Sequence, residues 1–408
     1  MNRLGLYLEK LSLIILVLFL VSFPFVLTNL TTEFYVLPKQ ILLSSVAILL
    51  LVIVGLKWVI DKEIRLRRTP FDLPILLFLG VCLVSSLLSV NRSESLISFA
   101  PVLFAGLLYF AITNTVKDKL SFYILLGAFL GSSSLLALNT ILNFARLYFW
   151  PFDFAKAQTF TPLGSLLDQG VYLATALSLA LFLLVRSKPS LKLKKFFNKN
   201  NVLLLLAALL SLVGLGVTIY MLIAMQRPVI LPYAHGFQIS FAAISQDTGR
   251  LLQSFLFGSG FGTFASDYAR FKQASINLTS YWSLNFIRSS SFVLELLATT
   301  GVVGILSFGY LALKVVKEKP LFIPGLLYLV AALILPLSFA TQALLFLILG
   351  IHTTWLGLSS NKIFEIELAI VTLKKGLVGA FTANSKTVPH GGLSRALPFL
   401  IFIIKSDI

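Results

Sequence analysis

Long apolar runs separated by short polar connections set the pattern of this chain. Ten runs approach the roughly 20 residues that carry a helix across about 30 Å of hydrocarbon. They fall near residues 11–30, 38–60, 71–90, 95–115, 120–143, 164–185, 201–225, 290–313, 320–338 and 340–358. One connection is long: the polar stretch from Gln226 to Ser289, which holds Gly258-Ser259-Gly260-Phe261-Gly262-Thr263-Phe264. After the tenth run the pattern degrades. Residues 361–381 are mixed, Thr382 to Leu393 are polar with Gly and Pro, and Leu397 to Ile404 are apolar but too short to span. The expected architecture is an all-α polytopic membrane protein of about ten transmembrane helices. A transmembrane domain covers 1–358 with one large loop at 226–289. The tail, 359–408, is expected to be cytoplasmic or to lie on the membrane surface as partly helical or disordered chain.

Composition agrees, with 58% hydrophobic and 12% charged residues, more apolar surface than a soluble domain of 408 residues could hide. The net charge of +17 does not point to nucleic acid, because no basic cluster is interleaved with exposed aromatics. It is better explained by orientation. With a cytoplasmic N-terminus, 24 Lys and Arg fall on inner connections and nine on outer ones, as the positive-inside rule requires. The large loop is then extracytoplasmic and the membrane is the cytoplasmic (inner) one. The basic connections Asp61 to Arg68 and Arg186 to Lys199 read as orientation signals, with anionic-lipid binding as the other reading. The first run is too long for a signal-peptide core and Phe23-Pro24-Phe25-Val26 offers no small-residue cleavage site, so it reads as a retained helix. The single cysteine, Cys82, allows no intramolecular disulfide.

Few motifs carry chemistry. His235, His352 and His390 are scattered and no metal site is expected. No Gly-x-Ser-x-Gly nucleophile stands between a strand and a helix. The glycines Gly258 and Gly260 match neither a dinucleotide nor a P-loop pattern, and mark a turn where backbone comes close to something. The loop's cations are more suggestive. Arg227, Arg250, Arg270, Lys272 and Arg288 place positive charge on one side of the membrane, and the fork of donors on Arg suits a pyrophosphate-linked lipid. The competing reading is solvation, or pairing with Asp247 and Asp267. Glu295 lies seven residues after Arg288, so one helical face would carry both. A carboxylate inside an apolar run is a functional candidate by default. The aromatic connection Phe144 to Pro162 reads as an interfacial belt or as a platform for sugar rings or a lipid tail.

Three segments together resemble the O-antigen ligase and polymerase superfamily. Thr69-Pro70-Phe71-Asp72-Leu73-Pro74 followed by Leu87-Leu88-Ser89-Val90-Asn91-Arg92-Ser93-Glu94-Ser95-Leu96 is similar to its early spans. Thr161-Pro162-Leu163-Gly164-Ser165 looks like its glycine turn, and Phe257 to Phe264 with Glu295 to Gly304 like its loop and return helix. The resemblance covers about residues 10 to 358. It implies a GT-C-type helical fold and a glycosyltransferase of cell-envelope polysaccharide synthesis, lipopolysaccharide included. Such an enzyme moves a glycan from a polyprenyl-pyrophosphate carrier to a glycan, lipid or protein acceptor, with no further cofactor. Arg288 corresponds to the family arginine before the return helix, and Arg250 to a second one. The family's histidine falls, eleven residues before Gly301, on Ser290. Glu295 or His235 takes its place, or this branch works differently, or the chain is inactive.

The leading expectation is therefore transfer of a lipid-linked glycan to an acceptor hydroxyl outside the membrane, with Arg288, Arg250 and Glu295 catalytic. Arg270, Lys272, Arg227, Gly258, Gly260 and Ser290 would bind substrate. The alternative is a non-catalytic or translocating binder of the same glycan. An ion-coupled transporter ranks third, because helices interrupted by Gly or Pro in matching halves are not evident.

Overall fold

The computed structural model describes residues 3–31, 33–186, 199–279, 281–318, 322–359 and 364–369. The helices are α1 (Arg3–Ser22), α2 (Val36–Asp61), α3 (Asp72–Leu87), α4 (Arg92–Thr115), α5 (Lys119–Phe144), α6 (Leu166–Arg186) and α7 (Lys199–Tyr220). After the polar stretch begins come α8 (Tyr233–Ser245), α9 (Leu251–Phe257) and α10 (Phe264–Phe271), then α11 (Phe292–Lys317), α12 (Phe322–Ile334) and α13 (Phe339–Ser359). Eight of these, α1, α2, α4 to α7, α11 and α13, are long and apolar enough to cross a membrane, and the chain is a multi-pass membrane protein. The other two apolar runs appear as the shorter helices α3 and α12. Leu88 leaves helical geometry where the large loop docks on it, and α12 stops two residues before Pro336, which cannot continue a helix.

Local sequence explains the starts. Asn91 accepts from the Glu94 amide at 3.3 Å while its own amide donates to Glu94 at 2.9 Å, a reciprocal cap on α4. Asp118 caps α5 through Ser121 and Ser291 caps α11 through Leu294. Before α3, the Thr69 amide donates to Asp72 at 2.8 Å, and the Tyr109 hydroxyl donates to the same carboxylate at 3.0 Å, tying α3 to α4.

Two strands were not expected. Glu63–Arg68 (β1) pairs antiparallel with Phe364–Ala369 (β2), Glu63 opposite Ala369 and Arg68 opposite Phe364. The described part of the tail is thus a strand rather than helix or disordered chain. The readings of residues 370–408 fall outside the described residues. This pairing defines one end of the bundle. The other end gathers the connections α1–α2, α3–α4 and α5–α6 with the large loop, as the bonds from Lys39 to Pro162 and from Ser89 to Ser259 show.

The return helix α11 is not continuous. Gly301 stands at φ 65° and ψ −164°, splitting it into 292–300 and 302–317. A discontinuous helix was absent from the sequence expectation. Nor does α11 reach back to Arg288: the run Ser289-Ser290-Ser291 favours a cap over helix, Ser291 is extended, and the i to i+7 alignment of Arg288 with Glu295 does not exist.

Candidate functional site

The glycine loop is bound to the break in α11. A helix end leaves its last carbonyls without helical donors. Here the Ser259 amide donates to the Ala298 carbonyl at 3.1 Å and the Gly260 amide to that of Thr299 at 3.0 Å, with the Ser85 hydroxyl on Thr299 as well at 2.7 Å. From its other side the loop is held by Ser89, whose hydroxyl donates to the Ser259 carbonyl, and by Ser95 on the Phe261 carbonyl. Gly258 to Phe261 are all buried. Irregular backbone at such a place is tolerated only when protein covers it. The space beside Gly258 and Gly260 is filled: a Cβ on Gly258 would meet Thr299 backbone at 2.4 Å, and one on Gly260 would meet the Ser89 hydroxyl. Gly258 brings backbone close to backbone and Gly260 brings it close to the Ser89 side chain, not to an open ligand cradle.

Most of the loop cations are engaged. Arg250 donates through Nη2 to the Leu88 carbonyl and through Nε to Gln253, which itself donates to Leu88 at 2.8 Å. Arg250 thereby docks the loop on the end of α3. Arg270 pairs with Asp247 at 3.4 Å and lies over the Phe271 ring. Lys272 donates to the Trp282 carbonyl at 2.9 Å, and Arg227 is exposed, with a 3.5 Å contact to the Ile223 carbonyl. The expected cluster of cations around one anion is not assembled by these four.

Arg288 differs. It is half-buried, makes no hydrogen bond or ion pair within 4 Å among the described residues, and acts electrostatically on two buried carboxylates, Asp168 and Glu295. Glu295 accepts from the Ser289 amide, while its Oε2 is buried without a partner. Asp168, at the start of α6, accepts from the Ser338 amide and the Thr341 hydroxyl, both at 3.3 Å, so it ties α6 to the entry of α13. The buried Lys39 also interacts electrostatically with Asp168. Arg288 and Glu295 thus come together through tertiary packing, and Asp168 joins them. The rule that singled out Glu295, a carboxylate within an apolar run, applies equally to Asp168 and could have found it.

Ser290 is fully buried; its hydroxyl donates to the Pro232 carbonyl at 3.1 Å, and Gly236 of α8 packs on it so closely that a Cβ there would overlap Oγ. His235, one residue away on α8, is half-buried, with a 3.4 Å contact to Gln238. Outside the spans, burial pushes the Asp267 carboxyl up to about 7, opposed by the Ser259 hydroxyl at 2.6 Å and by Arg270, and assisted by Asp247 and Glu94. Asp267 therefore supports the glycine loop from beneath.

In chemical terms, the end of the bundle that carries the loop presents the Arg288 guanidinium, unengaged among the described residues, beside two buried carboxylates. That arrangement can hold an anionic group on Arg288 and exchange a proton with a carboxylate. No protein-family model matches the chain, and no curated protein matches it.

Proposed function

We propose that the chain is a glycosyltransferase of the O-antigen ligase and polymerase type, acting at the outer face of the cytoplasmic membrane on a polyprenyl-pyrophosphate-linked glycan. The observation that carries this reading is Arg288, a cation with no direct partner among the described residues, set beside Glu295 and Asp168. The acceptor hydroxyl attacks the anomeric carbon and the bond to pyrophosphate breaks. Arg288 stabilises the departing charge, and Glu295 takes the hydroxyl proton or orients the guanidinium. Arg250, Arg270 and Lys272 serve this reading by holding the loop in place, and Arg227 lies at its exposed edge.

Reconstituted protein, given undecaprenyl-pyrophosphate oligosaccharide and a glycolipid acceptor, is expected to release the carrier as product forms. Arg288→Ala should abolish the release with the melting temperature retained; undiminished release from that variant overturns the assignment. Ser290 favours the second reading, a non-catalytic or translocating binder. The position of the family histidine holds a buried, non-basic hydroxyl already committed to Pro232. Saturable binding of the lipid-linked glycan without turnover would establish that reading.

A further inference from the structure

A cavity of about 350 Å³ opens between the α1–α2 connection, the α5–α6 connection and the last turn before Gln226. Its walls include the rings of Tyr35, Phe154 and Phe160 and the polar side chains of Thr159, Ser165 and Gln226. Both connections are tied to one buried ammonium: Lys39 donates to the carbonyls of Val26 at 2.8 Å, Tyr35 at 3.2 Å and Pro162 at 2.7 Å. Gly164, at φ +92°, lets the second connection run flush on Tyr35, whose Cβ would lie 2.7 Å from an added methyl. The rings brace one another. Phe154 stacks on Phe34 at 5.5 Å and on Phe152 at 5.3 Å and meets Phe160 edge-on at 6.2 Å. Rings of an interfacial belt stand at headgroup level facing lipid, whereas these surround a preformed hole.

The lining selects the ligand. The Tyr35 and Thr159 hydroxyls and the Gln226 amide make no side-chain hydrogen bond to any described residue, and no charged side chain lines the cavity. An anion would find no cation there. An acyl chain would leave three polar groups dry, at a cost for each. A neutral, hydroxyl-rich ring fits both features, with its C–H face on the aromatic wall and its hydroxyls on the unpaired groups, in a volume within the range of small-ligand sites.

We infer that this cavity binds one neutral pyranose ring of a saccharide, stacked on the aromatic wall and hydrogen-bonded by Thr159 and Gln226. The inference rests on the cavity alone and holds for a transferase and a binder alike. The test uses the full chain in phosphatidylcholine nanodiscs, with methyl β-glucoside, methyl β-galactoside and methyl N-acetyl-β-glucosaminide as probes. Saturating the aromatic protons should transfer signal to the C–H protons of at least one glycoside. Affinity for that glycoside should fall about tenfold in Phe154→Ala, which removes the ring that braces the aromatic wall, and also in Thr159→Val, which removes a hydroxyl at constant shape. Arg288→Ala should leave the signal intact, which separates this site from the proposed transfer site. No transfer to any of the three glycosides, transfer undiminished in Phe154→Ala, or displacement of the glycoside by lauric acid overturns the inference.

Discussion

Gly258 and Gly301 pack backbone against backbone at the break in α11, where neither position has room for a side chain. A Cβ on Gly301 would lie 2.7 Å from the Gly258 amide nitrogen and 2.6 Å from the Leu256 carbonyl; one on Gly258 would lie 2.5 Å from the Thr300 amide. Both residues have positive φ, 71° and 65°. Gly258→Ala and Gly301→Ala should each cost about 1–3 kcal/mol in backbone strain alone, and more from the clash. Thermal unfolding in detergent measures this, with Gly309→Ala, where a methyl meets nothing within 4 Å, as the control that does not fall.

Arginine chemistry at position 288 should depend on shape as well as charge. Lysine offers a point charge without the planar fork. Arg288→Lys is therefore expected to keep partial carrier release where Arg288→Ala keeps none, read as initial rates on reconstituted protein.

The other loop arginines should separate by what they hold. Arg250→Ala removes one hydrogen bond from the loop to the end of α3 and one to Gln253 within the loop, a loss of about 1–3 kcal/mol for a charged donor. Arg270→Ala breaks a partly exposed ion pair with Asp247 and should cost under about 1 kcal/mol. Melting temperatures of the two variants, measured side by side, check that order.

Loop docking should respond to pH through Asp267. Its folded pKa, about 7, lies above the ordinary carboxylate value near 3.9. Between those values the folded state binds more protons than the unfolded one, so its contribution to stability falls as pH rises from about 4 to 7 and then levels. Amide protection factors across 258–271, with the base-catalysed rise of intrinsic exchange divided out, should fall over that range. Asp267→Asn, which keeps shape and stays neutral, should remove the dependence; an unchanged slope would falsify the assignment.

Lys39 is a lysine whose removal should be felt through carbonyls. Lys39→Met keeps the stem but leaves the Val26, Tyr35 and Pro162 carbonyls without this donor. Each group left unpaired costs about 1–3 kcal/mol, so a large fall in unfolding temperature is expected.

The spans were legible because each is a local property: twenty apolar residues announce themselves. What stayed hidden depends on distant partners. Nothing near Gly301 says its helix breaks, since the amides that satisfy the break come from Ser259 and Gly260, some forty residues earlier. Lys39 counted as an outer-side charge because the carbonyls that hold it lie on two separate connections. Arg250 read as a ligand-binding cation because Leu88 is distant in sequence. Arg288 and Glu295 were placed together by a helical alignment that does not exist, yet the fold brings their charges together by another route. Asp168 was within reach of the same rule and was passed over. In β1 the alternation of Ile64 and Leu66 with charged residues was present but masked by a basic connection that already had an explanation.

The strand pair has a consequence for biosynthesis. β1 is made long before β2, so until β2 follows it is an open edge, the kind of surface that recruits strands from other molecules. Its sequence, Glu63-Ile64-Arg65-Leu66-Arg67-Arg68, places a charge at four of six positions. Those charges thus keep an unfinished chain from pairing with a stranger while it waits for β2.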